Sequence, residues 1–399
     1  MLKIVKKILR KLYNTYRALI NILSFLYFDL SKIKKAKHLF VLPVYHTGGA
    51  ERVHLNIIKG LERDGIVILF TDYSVTNNFF DSFKMYADIV EIHKILRQKN
   101  QIINKLLFRL LISAINKNKE LSTVFGCNSV YFYRLLPAIK EEITKIDLFH
   151  AFVQNDSRTE DVVKSSNFID HRVVINRKAF DDLIEIYTKA KVEKKAERKI
   201  KIIENAIDYA DSVLIPKNTK EIKIGYLGRW GDEKRLDIFL GIAKKIMHKH
   251  KNVSFVMAGT GMKSNLRKIE DAGVQFLGEI SNDVEICNLY NKLNFILITS
   301  DNEGFPMILV ESMFFGVVPI VTNVGGIQEH IFNLKNGVLI ENSSDIDLLI
   351  NKFSSEIDFL INDSVKFKEL SRNAAEYARL NFKIDKFNSS YRNLFLSKY

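Results

Sequence analysis

The chain has 399 residues, 47% of them hydrophobic and 11% aromatic; that excludes a disordered or collagen-like polymer and fills two domains of roughly 150–200 residues. Its 60 Lys and Arg stand against 46 Asp and Glu, a net charge of +14, which suits nucleic acid, an anionic membrane surface or a phosphorylated ligand. Cys127 and Cys287 lie far apart without metal-ligand spacing, so a zinc ribbon is excluded and free thiols in a reducing compartment are expected.

Position separates those partners. Residues 1–37 hold Lys3, Lys6, Lys7, Arg10, Lys11, Arg17, Lys32, Lys34, Lys35 and Lys37 against a lone Asp29. Val5, Leu9, Leu12, Tyr16, Leu19 and Leu23 recur at three- and four-residue steps, the signature of an amphipathic helix with a basic face. The apolar run Ala18–Tyr27 is shorter than the ~20 residues that span a bilayer, and no small-residue cleavage site follows it. The expectation is a helix lying on an anionic leaflet, at the cytoplasmic face of the membrane.

An α/β pattern begins at His38. The strand His38–Val44 leads into Gly48 and Gly49 and then a helix to about Arg63. Strand, glycine pair and helix form a turn that lets backbone N–H groups approach a phosphate. A plain tight turn has the same signature, and the pattern is neither GxGxxG nor a Walker loop. Strands are expected over Ile66–Thr71, Ile89–His93, Asp147–Phe152 and His171–Asn176, with a helix over Ile102–Ile115. His150 stands at a strand's C-terminal end, the edge at which such domains present chemistry. Lys189–Ile202 reads as a solvated, charged helix face. It lacks the aromatic interleaving of a nucleic-acid groove, so no nucleic-acid partner is expected.

The segment Lys217–Lys220 is the candidate hinge, and a second α/β series follows it. Ile222–Leu227 is a strand, Gly228–Arg235 a loop carrying Arg229 and Lys234, and Leu236–His250 a helix. Val253–Met257 ends in Gly259 and Gly261, and Val274–Gly278 gives one more strand and turn. Phe295–Ile298 delivers the loop Thr299–Pro306 to an apolar helix closed by Gly316. Glu303 and Glu311, eight positions apart, put one carboxylate in that loop and one about two turns along the helix. Val317–Thr322, Gly325 and Gly326 complete the series before a helical tail over 365–399. Cations, close-approach glycines, a helix N-terminus and two separated carboxylates suit a nucleoside diphosphate carrying a sugar. No strand-end Asp-x-Asp is present for a metal; Asp345-Ile346-Asp347 reads as a helix start.

Gly48-Gly49-Ala50-Glu51-Arg52, Gly228-Arg229 with Lys234, Phe276-Leu277-Gly278, Asp301-Asn302-Glu303-Gly304-Phe305-Pro306, Glu311, Gly316, Pro319 and Gly325-Gly326 occur here in one order. Across about residues 38–340 that order resembles retaining GT-B glycosyltransferases of family 4, the glycosyl transferases group 1. The resemblance implies two Rossmann-like lobes. With the sequence pattern it divides the chain into a membrane-associating segment at 1–37, an acceptor lobe at 38–216, a donor lobe at 217–378 and a returning helix at 379–399. It implies Arg229 and Lys234 on the donor diphosphate, and Glu303 on sugar hydroxyls with Gly304, Phe305 and Pro306 lining that pocket. Glu311 would meet the ribose, Gly48 and Gly49 the diphosphate from the other lobe, and His150 the acceptor. It further implies metal-independent hexosyl transfer with retention and no resident cofactor, in lipopolysaccharide or capsule biosynthesis. In two places the sequence departs from the pattern: Ala206 stands where Gly is common, and residues 127–178 match loosely. An epimerase or hydrolase of nucleotide sugars on the same architecture, and a non-catalytic glycan-assembly partner, are the competing readings.

Overall fold

The computed structural model describes residues 16–17, 20–46, 48–61, 64–96, 101–150, 158–209, 213–280 and 282–396. Two all-parallel sheets organise it. The first runs β3-β2-β1-β4-β5-β6-β7, with β1 His38–Leu42, β2 Ile66–Phe70, β3 Asp88–Glu91, β4 Thr123–Cys127, β5 Thr144–Phe149, β6 His171–Val174 and β7 Ile200–Ile202. The second runs β10-β9-β8-β11-β12-β13, with β8 Ile222–Leu227, β9 Val253–Ala258, β10 Gln275–Phe276, β11 Phe295–Ile298, β12 Val318–Thr322 and β13 Val338–Ile340. Both orders reverse direction beside the first strand, between β1 and β4 and between β8 and β11. Such switch points open a crevice at the C-terminal strand ends.

The strands form because each sheet is covered on both faces, which demands continuous apolar runs in place of alternation. Leu39 through Leu42 and Phe295 through Ile298 are all buried. One core cluster joins the lobes: Phe40, Phe125 and Leu148 belong with Val310, Val321, Tyr391 and Phe395. The outer faces of the two sheets have separate cores. The last helix, Ile384–Leu396, leaves the second lobe and packs on the first. Its Phe395 ring stacks on Phe40 and Phe125, at 5.7 and 5.9 Å, and Arg392 Nε donates to the Gly60 carbonyl at 2.5 Å.

Two expectations change. Lys189–Ile202 is not one helix: a helix over Arg177–Lys189 precedes a short 3-10 turn over Lys194–Lys199 and the edge strand β7. β7 exposes Lys201 and Ile202, so the burial that defines an inner strand is missing at this sheet edge. Strand β4 went unread because the apolar stretch Val124–Cys127 is interrupted by Gly126. That glycine is required there, since a Cβ would lie 2.2 Å from the Phe132 ring. Of the segment 1–37, residues 1–15, 18 and 19 lie outside the described residues. Residues 20–35 are helical, with a π turn over Phe25–Asp29, and bury Phe25, Leu30 and Ile33 in the outer core of the first lobe. No helix among the described residues is long and apolar enough to cross a membrane.

Candidate active site

A cavity of about 420 Å³ lies where the C-terminal edges of the two sheets face each other. The first lobe contributes Gly48, Gly49 and Arg52 after β1, Asn128 after β4, His150 after β5 and Asn205 after β7. From the second come Gly228, Arg229 and Lys234 after β8, Gly259 and Thr260 after β9, and Glu303 to Ile308 with Glu311 after β11. The ten residues expected from the sequence to bind or act on substrate thus border one cavity.

Glycine geometry sets the floor of the second lobe. Gly259 has φ +137°, and a Cβ on it would fall 1.8 Å from the Gly228 carbonyl oxygen. Its N–H donates to the Gly278 carbonyl and Gly228 N–H to Ala258, so the loops after β8, β9 and β10 close backbone against backbone. Gly325 does the same for the carboxylate loop, where a Cβ would meet the Glu303 carbonyl oxygen at 1.6 Å. Gly326 N–H and the Asn176 side chain both donate to the Gly304 carbonyl, at 2.8 and 3.0 Å. The Glu303–Gly304 backbone is therefore clamped from both lobes.

The charged groups are arranged as pairs. Lys234 Nζ donates to Glu303 Oε1 at 2.7 Å, and Ser300 Oγ donates to the same oxygen at 2.6 Å. Arg229 reaches Glu233 and leaves most of its side chain in solvent. The helix Met307–Phe314 starts at Pro306 with no side-chain cap, so its first N–H groups and positive dipole end face the cavity. Glu311 is buried; Tyr290 donates to it at 2.8 Å and Arg52 stands 3.6 Å away. Burial raises the Glu311 carboxyl above the usual range, against the pull of Arg52 and Tyr290. Arg52 also bonds Asp283 at 2.5 Å, tying the helix after the glycine pair to the opposite lobe.

The other end of the cavity is walled by His150, with His54 beside it at 5.7 Å between ring centroids. Burial lowers both imidazoles, His150 to about 4 and His54 well below its ordinary value, so both are neutral at neutral pH. Neither ring nitrogen of His54, nor Nε2 of His150, meets a hydrogen-bond partner among the described residues. With Cys127 they place ligand-type atoms within 4.8 Å of one another. Sequence reasoning gave no site role to Arg52, His54, Asn205 or Tyr290. Arg52 was the readable one, the fourth residue of the helix that Gly49 opens; Tyr290 gave no signal, being one apolar position in an ordinary helix.

The family model for glycosyl transferases group 1 matches residues 211–381. The Campylobacter jejuni GalNAc-alpha-(1->4)-GalNAc-alpha-(1->3)-diNAcBac-PP-undecaprenol alpha-1,4-N-acetyl-D-galactosaminyltransferase is 28% identical over 189 residues, 45% of this chain and 50% of that protein. The chain thus spans half the length of that relative. A glycosyltransferase of Haemophilus influenzae is 23% identical over 355 residues, 83% of this chain and 92% of its own. Among solved structures, Anabaena HepE in complex with UDP-glucose superposes with a TM-score of 0.70 at 17% identity, over 90% of this chain and 99% of that one. Likeness at that identity speaks for the fold, the two facing Rossmann-like lobes of GT-B. Residues 211–381 thus match the glycosyl transferases group 1, and the chain as a whole has the GT-B fold.

Proposed function

We propose that the protein transfers a hexose, with retention and without a metal or resident cofactor, from a nucleotide-diphosphate sugar to a lipid-linked or cell-surface glycan acceptor. The observation that carries this is the convergence of Lys234, Arg229, the uncapped helix start and Gly48-Gly49 on one cavity with Glu303. Lys234 and Arg229 would take the diphosphate, the Lys234–Glu303 pair opening so that phosphate replaces carboxylate at the ammonium. Glu303 then turns to the sugar hydroxyls. Glu311, with Tyr290 and Arg52 already around it, would accept from the ribose. In the transfer step the bond from the anomeric carbon to the diphosphate oxygen breaks while an acceptor hydroxyl oxygen bonds to that carbon on the same face. The hydroxyl proton goes to the departing diphosphate. Charge grows on the leaving group, and preorganised cations and N–H dipoles in a closed site stabilise it.

On the acceptor side, neutral His150 has an open Nε2 with which to position a hydroxyl. The Campylobacter relative, named for a PP-undecaprenol-linked glycan, supports a lipid-linked acceptor, and UDP-glucose in the Anabaena neighbour supports a nucleotide-sugar donor. The cytoplasmic face of the membrane is where we place the reaction.

The test is a donor screen by thermal shift followed by transfer assays on Lys234→Met, Glu303→Gln and the double variant. Each single change is expected to lower transfer by about 10²–10³-fold, the range for removing one preorganised charge-stabilising group. Wild-type turnover in either single variant sinks the assignment. The double variant, which leaves no unpaired charge behind, serves as the folding control.

A further inference from the structure

We propose that His54, Cys127 and His150 form a zinc site at the end of the cavity that His150 walls, and that an ion held there blocks the acceptor position. The three residues come from separate elements that the sheet order makes neighbours. His54 lies on the helix Gly49–Gly60 that follows β1, Cys127 is the last residue of β4, and His150 is the first residue after β5. β1, β4 and β5 are consecutive and parallel in the first sheet, so their C-terminal ends deliver two imidazoles and a thiol to one place. One ring nitrogen of each histidine and Cys127 Sγ all lie within 4.8 Å of one another. Around a tetrahedral zinc, with nitrogen at about 2.0–2.1 Å and sulfur at about 2.3 Å, ligand atoms stand about 3.3–3.6 Å apart. Small side-chain rotations cover that difference.

The hydrogen bonding of these groups points to a ligand. His54 is 2% exposed, and neither of its ring nitrogens meets a partner among the described residues. Nε2 of His150 is unpartnered in the same way. Buried polar atoms are ordinarily hydrogen-bonded, because desolvation without a partner is costly, so a ring with both nitrogens unmet stands out. Burial holds both imidazoles neutral at neutral pH, the form in which a ring nitrogen carries a lone pair for a metal. Cys127 is a fully buried free thiol.

The donor set selects the ion. A thiolate with two imidazoles suits zinc, whereas magnesium, calcium and manganese prefer oxygen ligands. On binding, the Cys127 proton is released to solvent and sulfur bonds to the metal. Glu51, one helical turn before His54, is near enough for its charge to act on the Cys127 thiol, and Arg158 acts on it in the opposite sense. Three protein ligands leave a fourth position open, on the side of His150, which borders the cavity. Zinc there occupies the imidazole that would position the acceptor hydroxyl, so it inhibits transfer and takes no part in it. That inhibition rests on the transferase reading; the metal site itself does not.

The experiment uses the full chain, stripped with a chelator under reductant. Zinc is titrated against a chromophoric chelator, and cobalt(II) is added separately as a spectroscopic reporter. Expected are one zinc per chain and a thiolate-to-cobalt charge-transfer band in the near ultraviolet. Losing only an outer partner of a metal ligand weakens affinity about 10–100-fold, so Cys127→Ala and His54→Gln should each weaken zinc binding by about a hundredfold or more. Cys127→Ala should also lack the cobalt band. Melting curves like wild type show that each variant is folded. Absence of the cobalt band in the wild-type chain, or unchanged zinc binding in the folded variants, overturns the site. Zinc should lower transfer by wild type and not by Cys127→Ala, each measured against its own zinc-free rate; equal inhibition of both overturns the blocking role. Lys234→Met is expected to bind zinc like wild type, so failure of the donor-site reading and failure of this one are read apart.

Discussion

Glu51 shows how a single buried group carries a pH signature. It sits in the first turn of the helix after the glycine pair, its carboxylate folded over Gly48, and it is buried. Burial pushes its carboxyl up to about 7 from 4.5, against a hydrogen bond from its own backbone. A raised folded-state value means the stabilising difference is full below 4.5 and is lost as pH climbs through about 7, because the unfolded chain ionises first. Glu51→Gln removes that loss. The variant should match wild type near pH 4.5 and exceed it above pH 7 by up to about 2–3 kcal/mol, read from urea melts at the two ends. The opposite dependence of His150, depressed to about 4, is lost on acidification. It is common to both proteins and cancels in the comparison. Gln no more stable than Glu at high pH would show that the carboxyl reaches water.

At the scale of elements, β5 and β6 hide an ion pair beneath an apolar pattern. Arg172 is fully buried; its Nε donates to Asp147 at 2.8 Å, its Nη2 to Ser165 Oγ at 2.6 Å and its Nη1 to the Val162 carbonyl at 2.9 Å. Tyr133 also donates to Asp147, at 3.2 Å. The guanidinium thus ties two strands to the helix Thr159–Ser165, the next described helix after β5. Arg172→Met leaves Asp147 buried without its cation and should cost about 3–5 kcal/mol. Asp147→Asn added to it should restore a good part. Chemical denaturation of the single and double variants checks both. The sequence alone made β5 and β6 recognisable by their apolar residues but carried no sign that Asp147 and Arg172, 25 positions apart, are partners. Edge strand β7 went unread for the converse reason, its exposure making it look like any charged surface segment.

Across the whole molecule, the lobes are joined by polar contacts as well as by their shared core. Glu329 of the second lobe accepts from the Arg177 and Lys178 N–H groups, at 2.8 and 2.7 Å, at the start of a first-lobe helix. Arg52 bonds Asp283, and Ile207 N–H donates to the Phe382 carbonyl at 3.2 Å where the chain crosses back. Beyond that crossing, Phe395 is nearly fully buried against His38, Phe40 and Phe125. Phe395→Ala should therefore lower stability by about 3–5 kcal/mol, visible as a fall in Tm. A loss below about 1 kcal/mol would mean the returning helix is loosely held. The helix over 20–35 is likewise part of the first lobe's core, so a truncation probing membrane attachment has to stop before Phe25 and Leu30.

By itself the sequence determined what depends on neighbouring residues: buried strands as apolar runs, loops as Gly and polar clusters, and a Glu303-to-Glu311 spacing that fixes one carboxylate in a loop and the other on a helix. It also named ten residues that border the cavity, because strand-end loops are where chemistry is exposed and each is legible locally. Only the tertiary structure decided their partners. Lys234 faces Glu303 across 69 positions of chain, and Arg52 reaches Asp283 across 231. His54 was brought beside His150, and the last helix was returned to the first lobe. Such pairings follow from how two sheets and their helices pack in space, and no period or motif along the chain encodes a distance between surfaces that meet only after folding.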